Sequence, residues 1–141
     1  MFSADFNTKQ PLPDLFASFN MKRGLLRREQ ILAAVYQLDD CGCVIKTDEA
    51  FVFGDEIRLS LSLNMPLESA STPLLTGRIA GVRKYCSNFF YAVEFKGDMD
   101  DSATADIARI RALLERKVAL KGRRKSRRSP GTPPALRAAR A

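Results

Sequence analysis

Histidine is missing from the sequence, and cysteine is scarce. Without histidine the chain lacks the commonest general base and the commonest neutral metal ligand, so Ser-His-Asp and Cys-His catalytic sites cannot form within one copy. The three cysteines are an odd number and indicate no disulfide framework. Two of them form Cys41-x-Cys43, for which packing is favoured over a zinc site. These residue types therefore indicate no enzyme and no metal.

Long apolar runs are also missing. No stretch approaches the ~20 apolar residues that a membrane-spanning helix needs, and no basic region followed by an apolar run marks a secretory signal. Together with the cysteine usage, this predicts a cytoplasmic protein in a reducing environment.

Acidic residues are missing from the C-terminal end. Residues 117–141 hold nine of the 23 Lys and Arg residues and no Asp or Glu, so the formal net charge of +7 belongs to this end of the chain. We expect residues 122–141 to be a basic disordered tail. The tail is predicted either to attract nucleic acid or an anionic membrane surface without specificity, or only to keep the protein soluble.

Apolar and polar residues alternate through the middle of the chain, which predicts strands. Residues 56–63 and 89–95 have the clearest period of two, and shorter apolar runs at 31–38 and 43–45 flank the turn at 39–42. A further strand is predicted at 74–84.

Residues 102–121 have an amphipathic helical pattern that ends at Gly122. We predict a loose segment or short helix over 1–20, a small antiparallel β-barrel with a C-terminal α-helix over 21–121, and then the tail.

Three phrases of the sequence, in their order and spacing, resemble the PilZ domain family. They are residues 35–45 (Val-Tyr-Gln-Leu-Asp-Asp-Cys-Gly-Cys-Val-Ile), residues 51–61 (Phe-Val-Phe-Gly-Asp-Glu-Ile-Arg-Leu-Ser-Leu) and residues 77–95. The family is a six-stranded β-barrel with a C-terminal helix, and many members bind cyclic di-GMP. The resemblance covers roughly residues 22–120 and implies a mainly β, six-stranded PilZ-type barrel.

The resemblance also implies ligand-binding arginines. In the family an R-x-x-x-R motif lies in a loop before the first strand, and Arg23 and Arg27 have this spacing, with Arg28 beside them. A guanidinium group can pair with phosphate, stack on a purine or donate two parallel hydrogen bonds to guanine. The alternative is that these arginines belong to a basic loop exposed to solvent.

A second family motif, [D/N]-x-S-x-x-G, corresponds to the turn between two strands. Gln37 falls at the Asp/Asn position, Asp39 at the Ser position and Gly42 at the Gly position, so only the glycine is retained. The resemblance implies that these three residues form the floor of the ligand site. An ordinary β-turn is the alternative, because Asp and Gly are turn residues in any case.

Three functions remain open on these grounds. The first is a cyclic di-GMP-binding signalling protein that reorders its N-terminal segment to transmit the second-messenger level to a protein partner. The second is a degenerate PilZ-type adaptor that binds no nucleotide and acts by protein–protein contact, for instance in pilus or surface-motility machinery. The third is nonspecific nucleic-acid binding through the tail. The partner is unknown, and both a monomer and a homodimer are compatible with the sequence.

Overall fold

Six antiparallel strands close into a barrel in the computed structural model of the chain. The structure describes residues 2–7, 10–23, 25, 27–66, 68–85, 87–97 and 99–128, with backbone alone for residues 23 and 118–128. The strands are β1 (Leu15–Arg23), β2 (Arg27–Asp39), β3 (Gly42–Thr47), β4 (Glu56–Asn64), β5 (Ser69–Ser71), β6 (Leu75–Tyr85) and β7 (Asn88–Phe95), and the helix is α1 (Asp101–Arg128).

The barrel order is β1-β2-β3-β7-β6-β4, and β4 closes it by pairing with β1. The short β5 is an additional strand on β4. This confirms the predicted mainly β fold, a closed six-stranded antiparallel barrel followed by a C-terminal helix.

The barrel core follows the alternation of the sequence. On β4 the four apolar residues of the period-two pattern are buried and their polar neighbours are not, as predicted for Ile57, Leu59, Leu61 and Leu63. On β7 the side chains of Tyr91, Val93 and Phe95 are buried, whereas Phe89 is only partly buried.

The prediction of a loose segment or short helix for residues 1–20 was wrong in its second half, because β1 begins at Leu15. Pro13 and Asp14 suit the start of a helix, but Asp14 has a positive φ of 59° and the chain then extends. Leu15, Ala17 and Phe19 point into the core, where pairing with both β2 and β4 outweighs local propensity.

The predicted helix end at Gly122 was also wrong, and so was the disorder expected for residues 122–128. The helix α1 continues to Arg128. A glycine within a helix costs about 1 kcal/mol relative to alanine, and the Lys and Arg residues that follow are good helix formers. The rest of the predicted tail, residues 129–141, lies outside the described residues.

The chain divides into two compact units, Met1–Arg111 and Ala112–Ala141. The first unit contains the barrel and the start of α1, which Asp100 caps by accepting a hydrogen bond from the Ala103 amide at 2.8 Å. In this unit the helix buries Ala103, Ile107 and Ile110. The second unit contains the rest of α1 to Arg128. Among the described residues, no helix is long and apolar enough to cross a membrane.

Candidate binding surface at the β2–β3 turn

The turn between β2 and β3 is held by the chain's own N-terminal segment, defined here as residues 2–7. The side-chain oxygen of Gln37 accepts a hydrogen bond from the Asp5 amide at 2.7 Å. Its amide nitrogen donates to the Ser3 carbonyl at 2.9 Å and to the Asp39 carboxylate at 2.9 Å. Gln37 therefore holds this segment through hydrogen bonds to the backbone of Ser3 and Asp5, and Asp39 orients the Gln37 side chain.

A bulge in β2 explains how two consecutive side chains serve this segment. The pairing of β2 with β3 shifts between Val35 and Gln37, so Tyr36 is the extra residue. A bulge turns a side chain away from strict alternation. Tyr36 lines a cleft beside Phe6, while the next residue, Gln37, bonds to Ser3 and Asp5. Beside the bulge, the amide of Leu12 donates a hydrogen bond to the carbonyl of Val35 at 2.8 Å.

Two glycines leave room for two phenylalanines of the segment. A Cβ added at Gly42 would lie 2.5 Å from Cγ of Phe2, and one added at Gly81 would lie 3.3 Å from Cζ of Phe6. Both rings are partly buried. Gly42, the glycine of the turn, is thus required by packing, because the absence of a side chain allows Phe2 to approach the backbone of β3.

Charged side chains on β6 and β7 complete this arrangement. Arg83 donates to the Phe6 carbonyl at 3.4 Å and to the Asn7 side-chain oxygen at 3.2 Å. The carboxylate of Glu94 accepts a hydrogen bond from the Phe2 amide at 3.4 Å. We call the outer face formed by Gln37, Gly42, Gly81, Arg83 and Glu94 the turn surface. The turn surface contacts both ends of the N-terminal segment, Phe2 through Glu94 and Asn7 through Arg83.

The helix is connected to the same turn. Asp40, at the tip of the β2–β3 hairpin, forms an ion pair with Arg111 of α1. The N-terminal segment and the helix therefore both contact residues of the same hairpin.

A cleft of about 500 Å³ opens beside the N-terminal segment. Its aromatic lining includes Tyr36 and Phe90, whose rings meet edge to face with centroids 5.1 Å apart. Lys46 and Arg83 supply positive charge, and Tyr85 adds a further exposed ring. Aromatic faces with adjacent cations suit a planar anionic ligand, and the volume lies in the usual range for small-molecule sites.

The predicted arginines lie far from this turn along the chain. Arg23 pairs with Arg27 where β1 meets β2, and Arg28 follows. Gln37 lies at the other end of β2, about 30 Å along the strand at 3.3 Å per residue. The structure therefore brings Gln37, Asp39 and Gly42 together but does not place the arginines beside them.

The position of β1 also changes the reading of the arginine motif. Arg23 is the last residue of β1 and Arg27 is the first residue of β2, whereas the family pattern places the arginines in a loop before the first strand. The sequence before β1, residues 1–14, contains no arginine and only one basic residue, Lys9. That segment supplies Phe2 and Phe6 instead. No role for these phenylalanines was predicted from the sequence, and the signal that could have linked them to this surface is the pair of glycines opposite, Gly42 and Gly81.

The environment of Cys43 does not favour a reactive thiol. Cys43 is fully buried in β3, and burial raises the pKa of its thiol to about 12, so the reactive thiolate is absent near neutral pH. Among the described residues, no group of three or more His, Cys, Asp or Glu side chains could hold a metal ion. Cys86 lies outside the described residues.

No model of a known protein family matches the chain, and no curated protein matches it.

Proposed function

We propose that this protein is a binding module of degenerate PilZ type that acts by protein–protein contact at the turn surface. The observation that carries the proposal is the docking of residues 2–7. A surface that holds one peptide segment through Gln37, Arg83 and the space left by two glycines can hold another. In this proposal the partner's segment takes the place of the N-terminal segment.

The charge and sequence of the turn favour a peptide over a nucleotide at this surface. The Asp39 carboxylate would repel a phosphate placed on the turn, and Glu94 adds a second acidic group on β7. The hydrogen-bonding groups of Gln37 are already directed at backbone amides and carbonyls. The arginine pair that suggested a nucleotide lies at the other end of β2.

The partner would sense the state of the N-terminal segment. Its displacement frees Gln37, exposes Gly42 and Gly81, and releases Arg83. Asp40 of the same turn pairs with Arg111 of α1, so in this proposal partner binding would also alter that ion pair. A cytoplasmic, reduced setting and a non-enzymatic role are parts of this proposal, and the unpaired thiols of Cys41 and Cys43 are compatible with the reduced setting.

A cyclic dinucleotide is the second candidate, and the aromatic and basic cleft favours it. A guanine could stack on the exposed ring of Tyr85 while Lys46 and Arg83 face phosphate. This site uses neither Arg23 nor Arg27. Cyclic di-GMP entering the cleft would compete with Asn7 for Arg83 and so release the N-terminal segment.

Isothermal titration and peptide binding distinguish the two candidates. We expect a chain lacking residues 1–7 to bind a synthetic peptide of residues 1–10 saturably, and Gln37→Leu to weaken that binding. Gln30→Leu is the matched control, since Gln30 lies on the part of β2 away from the turn and its side-chain amide donates a hydrogen bond to Ser18 of β1. Failure of the truncated chain to bind the peptide would contradict the peptide-binding proposal.

The same titration with cyclic di-GMP tests the second candidate. We expect no saturable heat with the full chain at high micromolar concentration. Saturable heat that disappears in Lys46→Ala with Arg83→Ala, and persists in Arg23→Ala with Arg27→Ala, would establish nucleotide binding in the cleft. Heat lost only in the second pair of substitutions would place the nucleotide at the β1–β2 end instead.

A further inference from the structure

Two neighbouring strands of the barrel, β1 and β4, separate on the side away from the turn surface. β1 and β4 pair from Leu15 opposite Leu63 to Ser18 opposite Ser60, and their ladder ends there. β1 continues to Arg23 in pairing with β2, and the first half of β4 (Glu56–Leu59) pairs with β6. Within the described residues no strand pairs with the edges that β1 and β4 then turn towards each other.

The gap between these edges is a cleft of about 480 Å³, which we call the β1–β4 slot. Residues 19–21 of β1 form one wall and residues 56–58 of β4 form the other. Phe51, Ile57 and Leu74 give it an apolar lining, and 60% of Leu74 is exposed. Unpaired strand edges beside apolar side chains are a template for an additional strand.

Charge selects the occupant of the slot. Arg28 and Arg58 lie on its rim. Glu56, the acidic residue among the described residues of the lining, is paired with Lys96, whose Nζ lies 2.6 Å from the Glu56 carboxylate oxygen, and interacts more weakly with Arg58. Acidic side chains of an incoming strand would therefore meet two guanidinium groups with little opposing charge.

We propose that the β1–β4 slot binds an extended segment of another protein in which apolar residues alternate with Asp or Glu. The segment adds a strand to β1, to β4 or to both, with apolar side chains on Phe51, Ile57 and Leu74 and carboxylates on Arg28 and Arg58. Backbone hydrogen bonds supply affinity, and the alternate side chains supply specificity.

Other occupants fit less well. The C-terminal end of the chain itself, residues 117–141, has nine basic residues and no acid, so the arginines of the rim repel it. The N-terminal segment lies on the turn surface instead. A second copy aligned edge to edge would bring together two β1–β2 hairpins that both carry exposed Lys22, Arg27 and Arg28.

The test uses the full chain and labelled eight-residue peptides that alternate Val with Glu or Val with Lys. We expect fluorescence anisotropy to show saturable binding of the Val/Glu peptide alone. Methylation of alternate backbone amides on one face of that peptide should abolish binding, because methylation removes the donors that pair with a strand edge. Equal binding of the Val/Lys peptide, or no effect of methylation on either face, overturns the proposal.

Location is tested with variants of equal net charge. Arg28→Glu with Arg58→Glu should weaken binding of the Val/Glu peptide by about tenfold or more, since two attractive charges become repulsive. Lys84→Glu with Arg109→Glu, two exposed sites outside the slot, is the matched control and should leave the affinity within about twofold.

Hydrogen exchange of the complex then shows where the strand is added. We expect slower exchange at residues 19–22 and 56–59 and no change at residues 2–7. Protection confined to the turn surface would overturn the slot as the binding site and assign the peptide to the surface of the proposed function. The two proposals can therefore fail independently.

Discussion

The ring of Phe2 lies directly against Gly42, where a Cβ would stand 2.5 Å from Cγ of the ring and 2.6 Å from the carbonyl oxygen of Val93. Because one of these neighbours is backbone, the side chain of Phe2 cannot relieve the clash alone by moving. Gly42→Ala is expected to displace the N-terminal segment and to lower the free energy of unfolding by about 1–3 kcal/mol. Urea denaturation measures the second effect, and hydrogen exchange at residues 3–5 measures the first.

The control for Gly42 is Gly97→Ala. An added Cβ at Gly97 would meet nothing within 4 Å. This substitution should change the stability by no more than about 0.5 kcal/mol. Equal effects of the two substitutions would contradict the close packing of Phe2 and Val93 around Gly42.

Gln37→Leu should release the N-terminal segment without harming the barrel. The substitution removes the acceptor of the Asp5 amide and the donor to the Ser3 carbonyl. Because these groups are exposed to water, the loss of stability should be modest, about 1 kcal/mol. Amide exchange at Asp5 should become faster while exchange in the core strands stays unchanged. Protected exchange at Asp5 in the variant would show that Phe2 and Phe6 suffice to hold the segment.

Tyr91→Phe should destabilise the fold although it removes one oxygen only. The buried hydroxyl of Tyr91 donates to the Glu49 carbonyl at 2.7 Å and accepts from the Phe51 amide at 2.9 Å. The variant leaves both backbone groups without this partner, which costs about 1–3 kcal/mol. Tyr85→Phe is the matched control, because 65% of Tyr85 is exposed. This substitution should lower the free energy of unfolding by no more than about 0.5 kcal/mol. Thermal unfolding of both variants decides the comparison.

The buried thiol of Cys43 should make stability depend on alkaline pH. Burial raises its pKa from 9.0 to about 12, so the unfolded chain releases this proton at lower pH than the folded chain. The contribution is fully present below pH 9 and is lost as the pH rises from 9 towards 12. The slope approaches about 1.4 kcal/mol per pH unit for one proton.

Cys43→Ala tests this dependence. The variant should lose stability less steeply than the original chain between pH 9 and 11 in denaturant titrations. In the folded chain at pH 8, iodoacetamide should modify the partly exposed Cys41 before Cys43. Parallel slopes for the two proteins would show that the thiol does not titrate differently on folding.

Much of the barrel can be predicted because its signals are local. The period-two pattern of residues 56–63 requires one buried face, and β4 buries that face. The turn at 39–42 and the helix cap at Asp100 likewise depend on residues that are close together in the sequence. β1 was missed since Leu15–Phe19 gain their burial from strands more than ten residues away, β2 and β4.

The candidate site depended still more on distant contacts. Gln37, Asp39 and Gly42 were singled out from the sequence, and the structure places all three at one turn. The sequence alone determined an antiparallel β fold with a C-terminal amphipathic helix, through alternation and turns, but not β1, whose pairing with β4 closes the barrel. Only the tertiary structure decided that Phe2 and Phe6 lie opposite Gly42 and Gly81, that Arg23 and Arg27 end up at the other end of β2, and that β1 and β4 separate into a slot. The reason is physical: strand periodicity specifies which face is buried, whereas the meeting of residues 40 to 90 positions apart depends on how the whole barrel closes.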